Sequence, residues 1–72
     1  MLRITLRAAR VNAGFDQKAA ADRLGVSNKT IGNWENGITF PPADKIPALC
    51  ELYGVSYDQL NFLPTSSLKA NN

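Results

Sequence analysis

Gln17-Lys18-Ala19-Ala20-Ala21-Asp22-Arg23-Leu24-Gly25-Val26-Ser27 runs directly into Asn28-Lys29-Thr30-Ile31-Gly32-Asn33-Trp34-Glu35-Asn36-Gly37. This stretch reads as helix, tight turn, helix. Asp16 precedes it as an N-cap, whose carboxylate can take free amides of the first turn. Ala19, Ala20 and Ala21 are strong helix formers that also let another helix approach closely. Gly25 ends the first of the two helices, because glycine tolerates the left-handed conformation that follows a helix end. Ser27 then caps a helix over Asn28–Asn36, which Gly37 closes. Ile31 and Trp34 lie three residues apart and face inward with Leu24 and Val26 as core. Asn28, Lys29, Gly32 and Asn33 are thereby turned outward.

Three more helices are expected around this pair, giving an all-α fold of five short helices. The first covers Leu2–Ala13, with Leu2, Leu6, Ala9 and Ala13 at helical steps, Ile4 and Val11 beside that stripe, and Gly14 as its stop. After Gly37, Pro41-Pro42 forces a loop over Ile38–Pro42. The fourth helix spans Asp44–Tyr53 with Ile46, Leu49, Cys50 and Tyr53 on its apolar face. It accommodates Pro47 only in its first turn. Ser56 and Gln59 form a capping box that opens a fifth helix carrying Leu60 and Leu63 and ending before Pro64. Residues 1–64 thus form the domain, and the polar stretch 65–72 is expected to be a frayed tail.

Length and composition narrow the chemistry. A core built from 72 residues is marginal. The chain has one cysteine and no histidine, so neither an internal disulfide nor a zinc site is available. No metal or other cofactor is expected. Helix packing, helped by self-association, must hold the fold. Enzymatic chemistry needs a poised group with a partner, and the chain offers no paired carboxylates at a useful spacing. Cys50 reads as a small core residue, and Tyr53 and Tyr57 as packing or edge residues. No segment approaches the roughly 18 apolar residues of a membrane span. The charged start lacks the apolar core of a signal peptide, so the cytoplasm of a bacterial cell is the expected location.

The net charge of +2 is unevenly placed. Residues 1–37 carry Arg3, Arg7, Arg10, Lys18, Arg23 and Lys29 against Asp16, Asp22 and Glu35, while the remainder is −1. A basic first half suits an anionic partner, DNA included, although Arg3, Arg7, Lys18 and Arg23 also read as ordinary solvated charges. The second helix of the pair presents its N-terminal end outward, a geometry that suits the major groove and nearby phosphates.

The run Gln17…Ala21…Leu24-Gly25-Val26-Ser27…Ile31…Trp34-Glu35-Asn36-Gly37 resembles the Cro-and-repressor type of helix-turn-helix, the XRE family. Leu52-Tyr53-Gly54-Val55-Ser56…Leu60 resembles that family's closing helices. The match covers about residues 5–63. It implies a lambda-repressor-like DNA-binding domain that regulates transcription, with double-stranded operator DNA as partner and a homodimer on a palindromic site. By position, Gln17 would contact the DNA backbone or brace the recognition helix. Asn28, Lys29 and Asn33 would face base edges, chemistry suited to adenine and guanine. Ser27, Thr30 and Asn36 would hold phosphates. Arg10 and Glu35 occupy positions that pair in many members, a structural role shared with Trp34.

Two features depart from the family pattern. The loop Ile38-Thr39-Phe40 lacks the Lys or Arg that members place there, and each lost phosphate contact removes a counterion-release contribution. Gly32 leaves bare backbone in mid-helix. The chain is also similar in length and detail to the small regulators of temperate phages, including modulators of repression. A second partner therefore stays open: a cognate repressor protein, met through Asn28, Lys29, Gly32, Asn33, Ile38 and Phe40. Phe40 could equally fold back onto the core.

Overall fold

The computed structural model describes residues 3–62. Leu2, the end of the expected fifth helix at Leu63 and Pro64, and the expected tail over 65–72 lie outside the described residues.

Four α-helices carry the fold: α1 (Leu6–Asn12), α2 (Gln17–Leu24), α3 (Asn28–Glu35) and α4 (Ile46–Tyr53). The all-α helix-turn-helix class holds, but five helices do not form. Two expectations are corrected, at opposite ends of the domain.

The first helix begins at Leu6, not Leu2. Thr5 is its N-cap, with extended backbone (φ −69°, ψ 159°) and a side chain that accepts from the Ala8 amide. A capping hydroxyl at Thr5 supplies the first turn with an acceptor and leaves the preceding backbone extended. Ile4–Thr5 forms strand β1 instead.

The fifth helix is a single 3-10 turn, Tyr57–Gln59, followed by strand β2 (Leu60–Asn61). The local signal for a helix start is real: Gln59 Oε1 accepts from the Ser56 amide at 2.9 Å. One hydrogen-bonded turn is nevertheless a costly nucleus that needs propagation to persist. Leu60 turns extended (φ −85°, ψ 135°) and is thereby buried to 3% exposure. β2 lies parallel to β1, with Ile4 opposite Leu60 and Thr5 opposite Asn61.

The core is where all four helices and β2 meet. Leu6 and Ala9 of α1, Ala20, Ala21 and Leu24 of α2, Ile31 and Trp34 of α3, Leu49 and Tyr53 of α4, and Leu60 are buried. Phe15, Val26, Cys50, Leu52 and Val55 pack against them half-buried. Val11, beside the expected stripe, is exposed. Ahead of α4 the chain makes a 3-10 turn over Ala43–Lys45, and Pro47 falls in the first turn of α4, where amides lack partners in any case. Lys45 reaches back across this junction and donates from Nζ to the Leu24 carbonyl at 3.0 Å. That contact satisfies a carbonyl at the end of α2 with a cation, the sign a helix C-terminus favours. Among the described residues no helix is long and apolar enough to cross a membrane.

Candidate nucleic-acid interface

The surface of interest is built by the α2–α3 connection. Asp16 caps α2 through a 2.7 Å bond to the Ala19 amide. Gly25 ends the helix in the left-handed region (φ +70°), and the Val26 amide returns to the Ala21 carbonyl at 3.0 Å. This reverses the chain within two residues and drops the Val26 side chain onto the core. Ser27 then starts α3, accepting from the Thr30 amide at 3.1 Å, with its hydroxyl 2.8 Å from that of Thr30.

Ile31 and Trp34 anchor the inner side of α3 at 1% and 4% exposure. That anchoring fixes the rotation of the helix and so decides which residues face water. Ser27, Asn28, Lys29 and the C-cap Asn36 are exposed, while Thr30, Gly32 and Asn33 are half-buried. Amides of Ile38 and Thr39 turn back to the Asn33 carbonyl and tie the following loop to the end of α3.

Behind α3 lies a polar network that joins three helices. Arg10 of α1 donates from Nε to Glu35 Oε2 at 2.6 Å and from Nη2 to Oε1 at 3.3 Å. Its Nη1 donates to the Phe15 carbonyl at 2.9 Å. Gln17, the first residue of α2, donates from Nε2 to Glu35 Oε1 at 3.0 Å. The Arg10 and Glu35 side chains are only 8% and 4% exposed. Such a pair is tolerated in a core because both charges are hydrogen-bonded as well as paired. The bond from Glu35 raises the Arg10 guanidinium above its ordinary range against the opposing pull of burial. Tyr53 is pushed up to about 12, first by burial and then by the Glu35 charge.

Gln17 therefore contacts Glu35, while Asn28 and Lys29 stand on the open surface. Gly32 sits beneath the Gln17 amide: a Cβ there would meet Gln17 Nε2 at 3.9 Å, an ordinary contact. Packing therefore does not demand glycine at this position. Ile38 and Phe40 are 69% and 64% exposed, so Phe40 does not fold back onto the core. Its ring instead stands edge-to-face with that of Phe62, with centroids 6.5 Å apart.

Three contributors were not legible beforehand. Lys45 and the Phe15 carbonyl act through contacts across the fold that leave no periodic mark. Phe62 joins Phe40 and Tyr57 only because β2 turns extended. Among the described residues no group of three or more His, Cys, Asp or Glu side chains is placed to hold a metal ion.

Two helices joined by a left-handed glycine, the second locked by an isoleucine and a tryptophan with a polar outer face, define a helix-turn-helix. A family model described as "Helix-turn-helix domain" matches residues 2–63, and the chain belongs to this family, in its XRE-type branch. The chain is similar to the HTH-type transcriptional regulator ImmR of Bacillus subtilis (strain 168), with 40% identity over 55 residues. Those residues are 76% of this chain but 43% of that protein, so the chain spans less than half the length of this curated relative. No solved structure matches the chain significantly.

Proposed function

We propose that the chain is a DNA-binding transcription regulator that reads an operator with α3. The observation that carries this reading is the division of α3 into a locked inner face and an open polar outer one. Ile31 and Trp34 are buried, and Asn28 and Lys29 are exposed beside the capped N-terminus. Asn28, Lys29 and Asn33 supply base-edge chemistry, and Ser27, Thr30 and Asn36 supply donors for flanking phosphates. Gln17, held by Glu35, braces α3 against α2 and keeps a second amide N–H for a phosphate. Similarity to a transcriptional regulator supports the same reading. A two-fold operator bound by two copies suits a single small module. Family membership suits the genetic switch of a temperate phage, in the cytoplasm of its bacterial host.

The test is fluorescence anisotropy on the purified chain, with its own control-region DNA against random DNA at moderate salt. Asn28→Ala and Lys29→Ala should each weaken the preferred site by about 1–3 kcal/mol. Equal affinity for both DNAs would refute the reading.

The exposed Ile38 and the absence of Lys or Arg from Gly37 to Pro42 favour a second reading. In it, α3 and this loop dock on a cognate repressor and relieve repression. A pull-down with the repressor encoded nearby that yields no complex would remove it.

A further inference from the structure

The end of α3 holds an apolar side chain that the core does not use. Asn36 is the C-cap, and Gly37 follows in the left-handed region (φ +74°). The Gly37 amide donates to the Trp34 carbonyl at 3.3 Å, and the Ile38 amide donates to the Asn33 carbonyl at 2.9 Å. These two bonds make the Schellman motif, in which the residue at the place of Ile38 commonly rests on an apolar side chain five or six positions earlier. Here those positions are Asn33 and Gly32. The motif therefore sets Ile38 toward an amide and a bare backbone, and its side chain is left 69% exposed. Helical spacing puts Gly32 and Asn33 opposite the buried Ile31 and Trp34, on the side that carries Lys29. Ile38 thus adds one aliphatic group to the outer face of α3. Gly32 leaves space on that face: a Cβ there would come no nearer to a neighbouring residue than 3.9 Å, at Gln17 Nε2.

An aliphatic group on a face that reads DNA has one chemical complement there. Phosphates and the hydrogen-bonding edges of bases gain nothing from a side chain that neither donates nor accepts. The loop from Gly37 to Pro42 has no Lys or Arg that would draw a phosphate instead. Among the groups that base pairs present in the major groove, the C5-methyl of thymine is the apolar one. The missing side chain at Gly32 gives such a methyl room to approach. We infer that Ile38 is a specificity-determining residue that, together with Gly32, receives a thymine methyl of the operator. Asn33, whose carbonyl holds the Ile38 amide, carries an amide suited to adenine, so the end of α3 selects for A·T pairs. This role of Ile38 rests on the DNA-binding reading. It replaces phosphate grip at the end of α3 with apolar readout.

Single thymidine-to-deoxyuridine exchanges along the preferred duplex test it, because each removes one methyl and keeps every hydrogen-bonding group. Fluorescence anisotropy on the full chain should show a position where the exchange weakens the parent about fourfold, the equivalent of one buried methyl. Ile38→Ser should bind the two duplexes equally, and Ile38→Val should keep the difference. Gly32→Ala fills the space for the methyl, so it should bind the deoxyuridine duplex at least as tightly as the thymidine one. Circular dichroism checks that each variant is folded. A parent that prefers its site but is indifferent to every exchange overturns the inference and leaves the DNA-binding reading standing. A deoxyuridine effect that survives in Ile38→Ser overturns it too, since the methyl then acts through another residue or through the duplex itself. Loss of repressor capture in Ile38→Ser, with no deoxyuridine effect in the parent, overturns it in favour of a protein contact. A parent with no site preference removes the DNA-binding reading and this role of Ile38 together.

Discussion

Replacing Glu35 with alanine should be the most damaging single change in the domain outside the apolar core. Glu35 accepts from Arg10 at 2.6 and 3.3 Å and from Gln17 at 3.0 Å, in a setting where both charged side chains are less than a tenth exposed. Without it, the Arg10 guanidinium keeps, among the described residues, the Phe15 carbonyl as its remaining hydrogen-bond partner. Removing one member of a buried pair typically costs about 3–5 kcal/mol, because the remaining charge stays desolvated. A chain of 72 residues is stable by about 4–11 kcal/mol in all, at about 0.05–0.15 kcal/mol per residue. Glu35→Ala therefore removes between about a quarter and the whole of the stability. With about 4–8 °C of melting temperature per kcal/mol at this size, the midpoint should fall by about 12 °C or more. The control is Arg10→Met with Glu35→Leu, which removes both charges and keeps the volume filled. Such exchanges are often neutral, so the double variant should melt above either single variant. Thermal unfolding followed at 222 nm, run as a full double-mutant cycle, measures both. A Glu35→Ala protein melting within about 4 °C of the parent, about 1 kcal/mol or less, would refute the reasoning.

Tyr53 gives a pH prediction. Its phenol is raised from 10.0 to about 12 in the folded chain, so the unfolded chain loses this proton first. The contribution is fully present below pH 10 and is lost as pH rises toward 12, about 2 to 3 kcal/mol in total. Denaturation across that window should show a steeper loss for the parent than for Tyr53→Phe. Gly32→Ala should raise stability by about 1 kcal/mol through helix propensity, since the new methyl meets only Gln17 Nε2 at 3.9 Å; calorimetry checks it, and a destabilised variant would contradict it. Lys45→Met should lower the urea midpoint by the equivalent of about 1–2 kcal/mol with an unchanged slope, because it removes the 3.0 Å bond to the Leu24 carbonyl.

The central helices were legible because their signals are local. Asp16, Gly25, Ser27 and Gly37 each act within four residues of where they stand, and Ile31 and Trp34 mark one side of α3 by spacing alone. The two ends were misread for the opposite reason. Leu2, Leu6 and Ala9 extend a helical stripe on paper, yet what ends the helix at Leu6 is a hydroxyl cap at Thr5 and a partner that arrives at Leu60. Ser56 and Gln59 do make a helical turn, but whether it grows depends on where Leu60 finds a dry surface. At the candidate site, the outward residues of α3 follow from helical geometry. The aromatic cluster does not, because Phe40, Tyr57 and Phe62 share no period and meet only after β2 has formed.

The pairing of Ile4–Thr5 with Leu60–Asn61 joins the two ends of the described chain, and it does so in parallel. Tension applied between those ends pulls the strands along their length in opposite directions. Their hydrogen bonds then share the load side by side instead of opening one after another like a zip. An antiparallel pair in the same place would peel from its open end. Short as it is, the parallel pair acts as a latch in shear, and the four helices behind it feel the pull only after that latch has slipped.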